Sequence, residues 1–210
     1  MLDNAEIMPQ SFVYIKDIIR DIEENLIFAT NDNLLGKPLL GYYKAKSILT
    51  VEAAIALKKV NNELLKSKYK IKIYDAYRPT KAMMDFYSWK NSSEDLNLKN
   101  KYYPNLTKKQ LFSMGYIATK YSSHSRGSTV DLTLVDLDFN LEINMGSIVG
   151  FLDKKSGNSN KKLIQDELRN REYLRKVMNK YGFIGIDQEW WHFTLKDEPY
   201  PNIYFNFDIK

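Results

Sequence analysis

The sequence predicts an α+β fold, with a central, mostly antiparallel sheet and flanking helices, in a single domain spanning residues 1–210. Three observations predict it. Helix-type patterns precede and interrupt the strand-type ones. Two strand segments near the C-terminus are separated only by Asp187-Gln188, a hairpin signal. No internal repeat or low-complexity linker divides the chain.

From Phe12 to Ile27 an apolar/polar mixture leads into Thr30-Asn31-Asp32-Asn33 and Gly36-Lys37-Pro38, which read as a long loop. Ser47 to Leu65 carries apolar residues at helical spacing and is the clearest helix. Lys70 to Tyr74 alternates strictly and reads as a strand, ended by Arg78-Pro79, and Lys81 to Trp89 reads as a second helix. Asn91 to Asn105 is polar and aromatic and reads as loop. Lys108 to Ala118 holds a short helix, and Ser122 to Gly127 is a small-residue turn. Val130 to Leu137 is a strand with Val130, Leu132 and Leu134 on one face and Asp131 and Thr133 on the other. Asp153 to Asn160 reads as a second, flexible loop. Asp166 to Lys180 is a charged amphipathic helix closed by Tyr181-Gly182. Phe183–Ile186 and Glu189–Leu195 read as hairpin strands, and the aromatic tail from Asp197 packs back on the domain.

Composition narrows the chemistry. With 44% hydrophobic and 27% charged residues the chain reads as an ordinary globular protein. It has no cysteine, which excludes a disulfide framework and any thiolate metal site, so a metal here must be held by His, Asp or Glu. The net charge of +5 invites an anionic partner, but the basic residues are scattered among acids and no nucleic-acid motif appears, so a solvated lysine-rich surface is expected. The N-terminus lacks the basic and apolar regions of a leader, and no apolar run reaches the ~18 residues of a membrane span, so the reading is a cytoplasmic protein without membrane contact. A homo-oligomer is compatible with the sequence.

The chain has only two histidines, and each has a carboxylate near it. His124 lies in Ser122-Ser123-His124-Ser125-Arg126-Gly127-Ser128-Thr129-Val130-Asp131, and His192 in Glu189-Trp190-Trp191-His192. A catalytic zinc takes three protein ligands and leaves a fourth position for water. His124, Asp131 and His192 would supply them and leave Glu189 to take a proton from water. Against this stands the plainer reading of each histidine as a packed, hydrogen-bonded side chain. In a regular strand Glu189 and His192 would face opposite sides, so a bulge, a strand end or a helix is required, and the β-rich flank favours the bulge. Arg78, fixed at a strand end by Pro79, is placed to stabilise an oxyanion; the alternative is a structural ion pair with Asp75.

The segments Asp75-Ala76-Tyr77-Arg78-Pro79, SSHSRGSTVDLTL and EWWHFTL together closely resemble the VanX-type D-alanyl-D-alanine dipeptidases, zinc peptidases related to D,D-carboxypeptidases and to the zinc-binding fold of the Hedgehog signalling domain. The likeness extends to FVYIKDIIRDI, FATNDNLLGKPLLGY, the NMGS segment and the closing DEPYPNIYFNF. The resemblance implies one zinc ion per chain on His124, Asp131 and His192. It implies Glu189 as catalytic base, Arg78 as the stabiliser of the tetrahedral transition state, and Ser122 and Asp75 near the substrate. Its members hydrolyse free D-Ala-D-Ala in the cytoplasm, depleting a peptidoglycan precursor; this serves glycopeptide resistance in some bacteria and nutrition or wall turnover in others.

Three positions depart from the family's pattern. Thr129 replaces the usual Ala, Phe28 replaces a Tyr, and Gly150 stands where an acidic residue is expected to grip the substrate's ammonium group, with Asp153 nearby as a substitute. These changes leave two further readings beside the dipeptidase: a D,D- or L,D-carboxypeptidase acting on longer wall peptides, and a non-catalytic binding protein. Glu189 and Arg78 argue against the last.

Overall fold

Thr50 ends one element and starts another, because its side chain accepts the Ala53 amide and so caps the longest N-terminal helix. The computed structural model describes residues 1–3 and 7–210; the leader-free reading of the N-terminus falls partly on residues 4–6, outside the described residues. The elements are β1 (Leu2–Asp3), β2 (Phe12–Tyr14), α1 (Ile15–Ile18), β3 (Glu23–Glu24), β4 (Ile48–Thr50), α2 (Val51–Lys66), β5 (Tyr69–Asp75), α3 (Ala82–Lys90), α4 (Leu96–Tyr102), α5 (Lys108–Ser113), β6 (Thr129–Asp136), α6 (Gln165–Lys180), β7 (Phe183–Gly185), β8 (His192–Leu195) and β9 (Tyr204–Phe205). Short 3₁₀ turns cover Ile27–Ala29, Ser123–Arg126 and Lys154–Ser156.

The main sheet runs β3-β5-β6-β8-β7. Only the β3–β5 pair is parallel, so the sheet is mostly antiparallel and the fold is α+β. Helix α2 packs on β5 and α6 on β7, and the two helices touch each other. Their apolar stripes, Leu57, Val60 and Leu64 on one and Leu174, Val177 and Met178 on the other, join Ile71, Ile73, Leu132 and Leu134 of the sheet in one buried cluster. Each fully buried Leu or Ile contributes roughly 1.5–3 kcal/mol, so this cluster holds the strands that carry the polar site.

Four sequence expectations are corrected. Ser47–Thr50 is not helical: Ile48–Thr50 pairs with Phe12–Tyr14, a strand within the segment that reads only as an apolar/polar mixture, because β-branched and aromatic residues there meet across the ladder. The loop expected over Asn91–Asn105 contains α4, which Asp95 caps by accepting the Asn97 and Leu98 amides. The 153–160 loop is pinned rather than free, since the buried Arg171 guanidinium donates to the Gly157 and Lys155 carbonyls. Finally, residues 189–191 lie in a turn before β8 rather than in the hairpin strand.

Candidate active site

Strand register brings the first residues of the site together. Asp131 of β6 lies directly opposite His192 of β8 on one side and Asp75 of β5 on the other. The register shifts between Ile73 and Asp75, so the bulge in this sheet sits in β5 and not, as the sequence suggested, beside Glu189. Paired residues of antiparallel strands project to the same face, which aligns Asp131 and His192 without any help from loops.

His124 arrives from the 3₁₀ turn 123–126. Ser122 caps that turn by accepting the His124 amide, and Gly127 closes it at φ +80°. Only glycine fits at 127, because an added Cβ would fall 2.1 Å from the Phe12 ring in addition to the positive φ. The turn is stapled to the end of β5, since the Arg78 amide donates to the His124 carbonyl and His124 Nδ1 lies 2.7 Å from the Ala76 carbonyl. That carbonyl can only accept, so Nδ1 carries the proton and Nε2 presents its lone pair to the site.

There Nε2 of His124 meets Nδ1 of His192 at 3.3 Å and an Asp131 carboxylate oxygen at 3.4 Å, and His192 Nδ1 lies 3.0 Å from the other Asp131 oxygen. All three side chains are buried. A tetrahedral ion with bonds of about 2.0–2.1 Å has ligand–ligand edges of about 3.3–3.4 Å; the two separations from His124 match that figure, and the 3.0 Å from His192 to the other Asp131 oxygen is somewhat shorter. A lone pair facing a carboxylate at this distance is repulsive unless a cation lies between them. The donor set therefore fits a divalent ion by spacing, burial and charge. Burial works against ionisation of Asp131, but with positive charge on the imidazoles in place of an ion, His124 and His192 more than offset it and hold its pKa well below the usual carboxylate range.

Glu189 lies outside this convergent set, 3.9 Å from His192 Nδ1. The His192 amide donates to the Glu189 carbonyl, so a tight turn at the start of β8 places the two side chains on one side. The turn is held because the Trp190 amide donates to the Ser156 carbonyl and the Trp190 indole N–H to Ser147. Burial pushes the Glu189 carboxyl up to about 7; Asp131 adds to the effect, while His192 and Arg78 work against it.

Arg78 makes the ion pair with Asp75 that one of its sequence readings expects, and it also lines the cavity. Its Nε and one terminal nitrogen donate to the same Asp75 oxygen at 3.0 and 2.7 Å, and its guanidinium stacks over the Phe28 and Phe86 rings, 4.5 and 5.5 Å from their centroids. Phe28 thus makes a cation–π contact through its face, which needs no hydroxyl. Burial lowers the Arg78 pKa, but the Asp75 charge more than restores it and leaves it raised, so the cation is permanent. Asp75 itself is fully buried, accepts the Tyr42 hydroxyl at 2.7 Å and lies 3.5 Å from His124 Nδ1. It stands behind Arg78 and His124 and is not among the residues that line the cavity.

A cavity of about 400 Å³ joins these groups, and Ser122, Arg78, Glu189 and the three donors all line it. Its walls are largely apolar, formed by Ile27, Phe28, Leu34, Tyr102, Val149 and Gly150. Asp153 is not among the lining residues; it accepts the Lys155 amide and the Asn105 side chain, so it does not substitute for an acid at 150. Sequence reading missed the Tyr42 support, since a partner 33 residues from Asp75 leaves no local signal. It also missed Arg126 on the cleft wall, although a cation inside a small-residue turn was visible.

Comparison with known proteins adds an independent line. Residues 8–210 match the peptidase M15 family model described as D-ala-D-ala dipeptidase. The chain is 40% identical over 203 residues to the D-alanyl-D-alanine dipeptidase of Enterococcus faecalis (strain ATCC 700802 / V583), covering 97% of this chain and 100% of that one. It is 35% identical over 202 residues to the enzyme of the same name from Streptomyces coelicolor, covering 96% and 100%. Among solved structures, the LdcB LD-carboxypeptidase is similar with a TM-score of 0.48 at 16% identity, covering 91% of this chain and 71% of that one.

Proposed function

The chain belongs to the D-Ala-D-Ala dipeptidase family of M15 peptidases, and from that premise we propose that it is a zinc-dependent dipeptidase that hydrolyses D-Ala-D-Ala to two D-alanines and so acts on peptidoglycan precursor supply from the cytoplasm. The observation that carries this reading is the convergence of His124, Asp131 and His192 beside a second carboxylate, Glu189, that lies outside the donor set.

His124, Asp131 and His192 would hold the ion, and the chemistry a bound zinc supplies there is Lewis-acid activation of water and of the scissile carbonyl. Glu189 accepts the proton of the attacking water and then delivers it to the nitrogen of the departing D-alanine. A carboxylate held beside the donor set can make both transfers. The Arg78 guanidinium, immobilised by Asp75 and the two Phe rings, faces the negative charge that grows on the carbonyl oxygen. Because it is ordered before reaction, it costs no reorganisation when that charge appears. Ser122 shapes the cleft edge and caps the turn that presents His124.

One observation favours a second reading. The wall at Gly150 carries no carboxylate, and the acids among the described lining residues are Asp131 and Glu189, both engaged at the site. A cleft without an anionic partner for the ammonium group also suits a carboxypeptidase acting on longer wall peptides. Release of D-alanine from D-Ala-D-Ala and from its N-acetylated form separates the two. The dipeptidase reading expects the free dipeptide to be the better substrate by kcat/KM. Turnover of the blocked peptide alone would replace that reading with the carboxypeptidase.

A further inference from the structure

Among the described residues two cations line the cleft, Arg78 and Arg126. The first is committed to Asp75 and to the carbonyl side of the reaction. The second has no role in the chemistry above, yet it is built in with comparable care. Arg126 lies two residues after His124 on the same 3₁₀ turn, so the metal donor and the guanidinium ride on one rigid unit closed by Gly127. Its Nε lies 2.9 Å from both carboxylate oxygens of Glu198, and the two side chains are only 17% and 10% exposed. The guanidinium carbon stands 5.9 Å from the Tyr204 ring centroid. Burial lowers the Arg126 pKa but Glu198 outweighs it, so the charge is retained.

Both arginines are therefore gripped from behind through Nε by a carboxylate. The contacts to Glu198 run through Nε, and the guanidinium also hydrogen-bonds the Tyr204 side chain, so only part of its donor set is used within the chain. A guanidinium fork on a half-dry wall is suited to a carboxylate, which it meets with two parallel hydrogen bonds. A peptide's free C-terminus is such a carboxylate, and it loses hydration on entering a cleft lined mostly by apolar side chains. We propose that Arg126 is the specificity-determining residue that reads the free C-terminal carboxylate of the substrate, with Glu198 as its positioning partner, so that cleavage is confined to peptides ending in a free acid. This rests on the peptidase reading above and adds to it the class of substrate end that the cleft accepts.

The test compares kcat and KM for D-Ala-D-Ala and for D-Ala-D-alaninamide in the zinc-loaded full chain, as wild type, Arg126→Gln and Arg126→Lys. Wild type is expected to prefer the acid by ~10²-fold in kcat/KM, the scale of a charged hydrogen-bonded contact. Arg126→Gln reduces that preference to ~5-fold or less, through a higher KM for the acid, while turnover of the amide changes little. Arg126→Lys keeps a preference of about tenfold, because it restores the charge without the fork. If the Gln variant does not fold, the Lys variant carries the test alone, and a wild-type preference in it overturns the proposal. A Gln variant that keeps the full preference, or that loses acid and amide turnover equally, also overturns it; equal loss would make Arg126 a strut between the turn and the C-terminal tail. Wild type that cleaves neither compound fails the dipeptidase reading itself, and this inference with it.

Discussion

Asp131 and His192 face each other across two paired strands, whereas Ile27, Val149 and Gly150, which wall the same cleft, come from segments outside the sheet. The floor is set by ladder register, in which a slip of one residue would turn every side chain to the other face. The walls are set by turns and short helices, which tolerate exchange. The difference teaches where change is tolerated: the departures from the family's pattern at Phe28 and Gly150 lie on the walls, the one in a floor strand, Thr129, is a small residue that bonds Thr194, and His124, Asp131, His192 and Glu189 are all present. The floor should govern whether the reaction occurs, and the walls which substrate it uses.

The largest expected effect is where a turn meets the floor, at Glu189. Glu189→Gln should lower kcat by ~10²–10⁴-fold while the bound metal is retained, the scale for loss of a general base. Wild-type turnover in this variant would remove Glu189 from the mechanism. Arg78→Ala should lower kcat by ~10²–10³-fold, the scale of one oxyanion donor. It also strips the partner from buried Asp75, so its melting temperature should fall as well. A rise in KM alone would move Arg78 from transition-state stabilisation to binding.

The same turn carries a pH dependence. The Glu189 carboxyl is raised to about 7 in the fold, so the stability of its neutral form is fully present below the ordinary carboxylate range and is lost as pH rises through about 7. Metal-free Glu189→Gln should thus melt a few degrees above metal-free wild type at pH 8, with the gap closing by pH 5. A gap that does not vary with pH would show that burial does not penalise the ionised carboxylate. In the loaded enzyme, kcat/KM should fall on the acid side as Glu189 is protonated.

The smallest effect is expected on a wall. A Cβ at Gly150 has room, its nearest neighbours being Ile27 and Tyr102 at 3.8 and 3.9 Å, but φ there is +80°. Gly150→Asp should raise the preference for free over N-acetylated D-Ala-D-Ala by about tenfold, the scale of a charged hydrogen bond, at roughly 1–2 kcal/mol of stability for the left-handed backbone. Unchanged selectivity would place the substrate's amine elsewhere.

The same division explains what could be read from the sequence. Strict alternation in Val130–Leu134 sets Asp131 apart from its apolar neighbours, and two histidines in a chain without cysteine leave few ways to build a metal site. These are local signals, and the site that follows from them is the one the strands assemble. Helix α4 was hidden by its polar composition, although Asp95 as a cap and lysines in its last turn mark its ends. The turn at Glu189 depends on Ser147 and Ser156, more than 30 residues away, so a bulge was the natural but incorrect choice. The Asp75–Arg78 pair was legible at a spacing of three residues, but no local pattern reveals that Tyr42 and His124 also meet Asp75.

Metal content against catalysis tests the central claim most directly. Purified wild type should contain about one zinc per chain and release D-alanine from D-Ala-D-Ala. His124→Ala should lose both, and Glu189→Gln should keep the ion and lose the activity. Metal-free protein that turns over at the wild-type rate, or a His124→Ala variant that binds zinc as wild type does, would contradict the account.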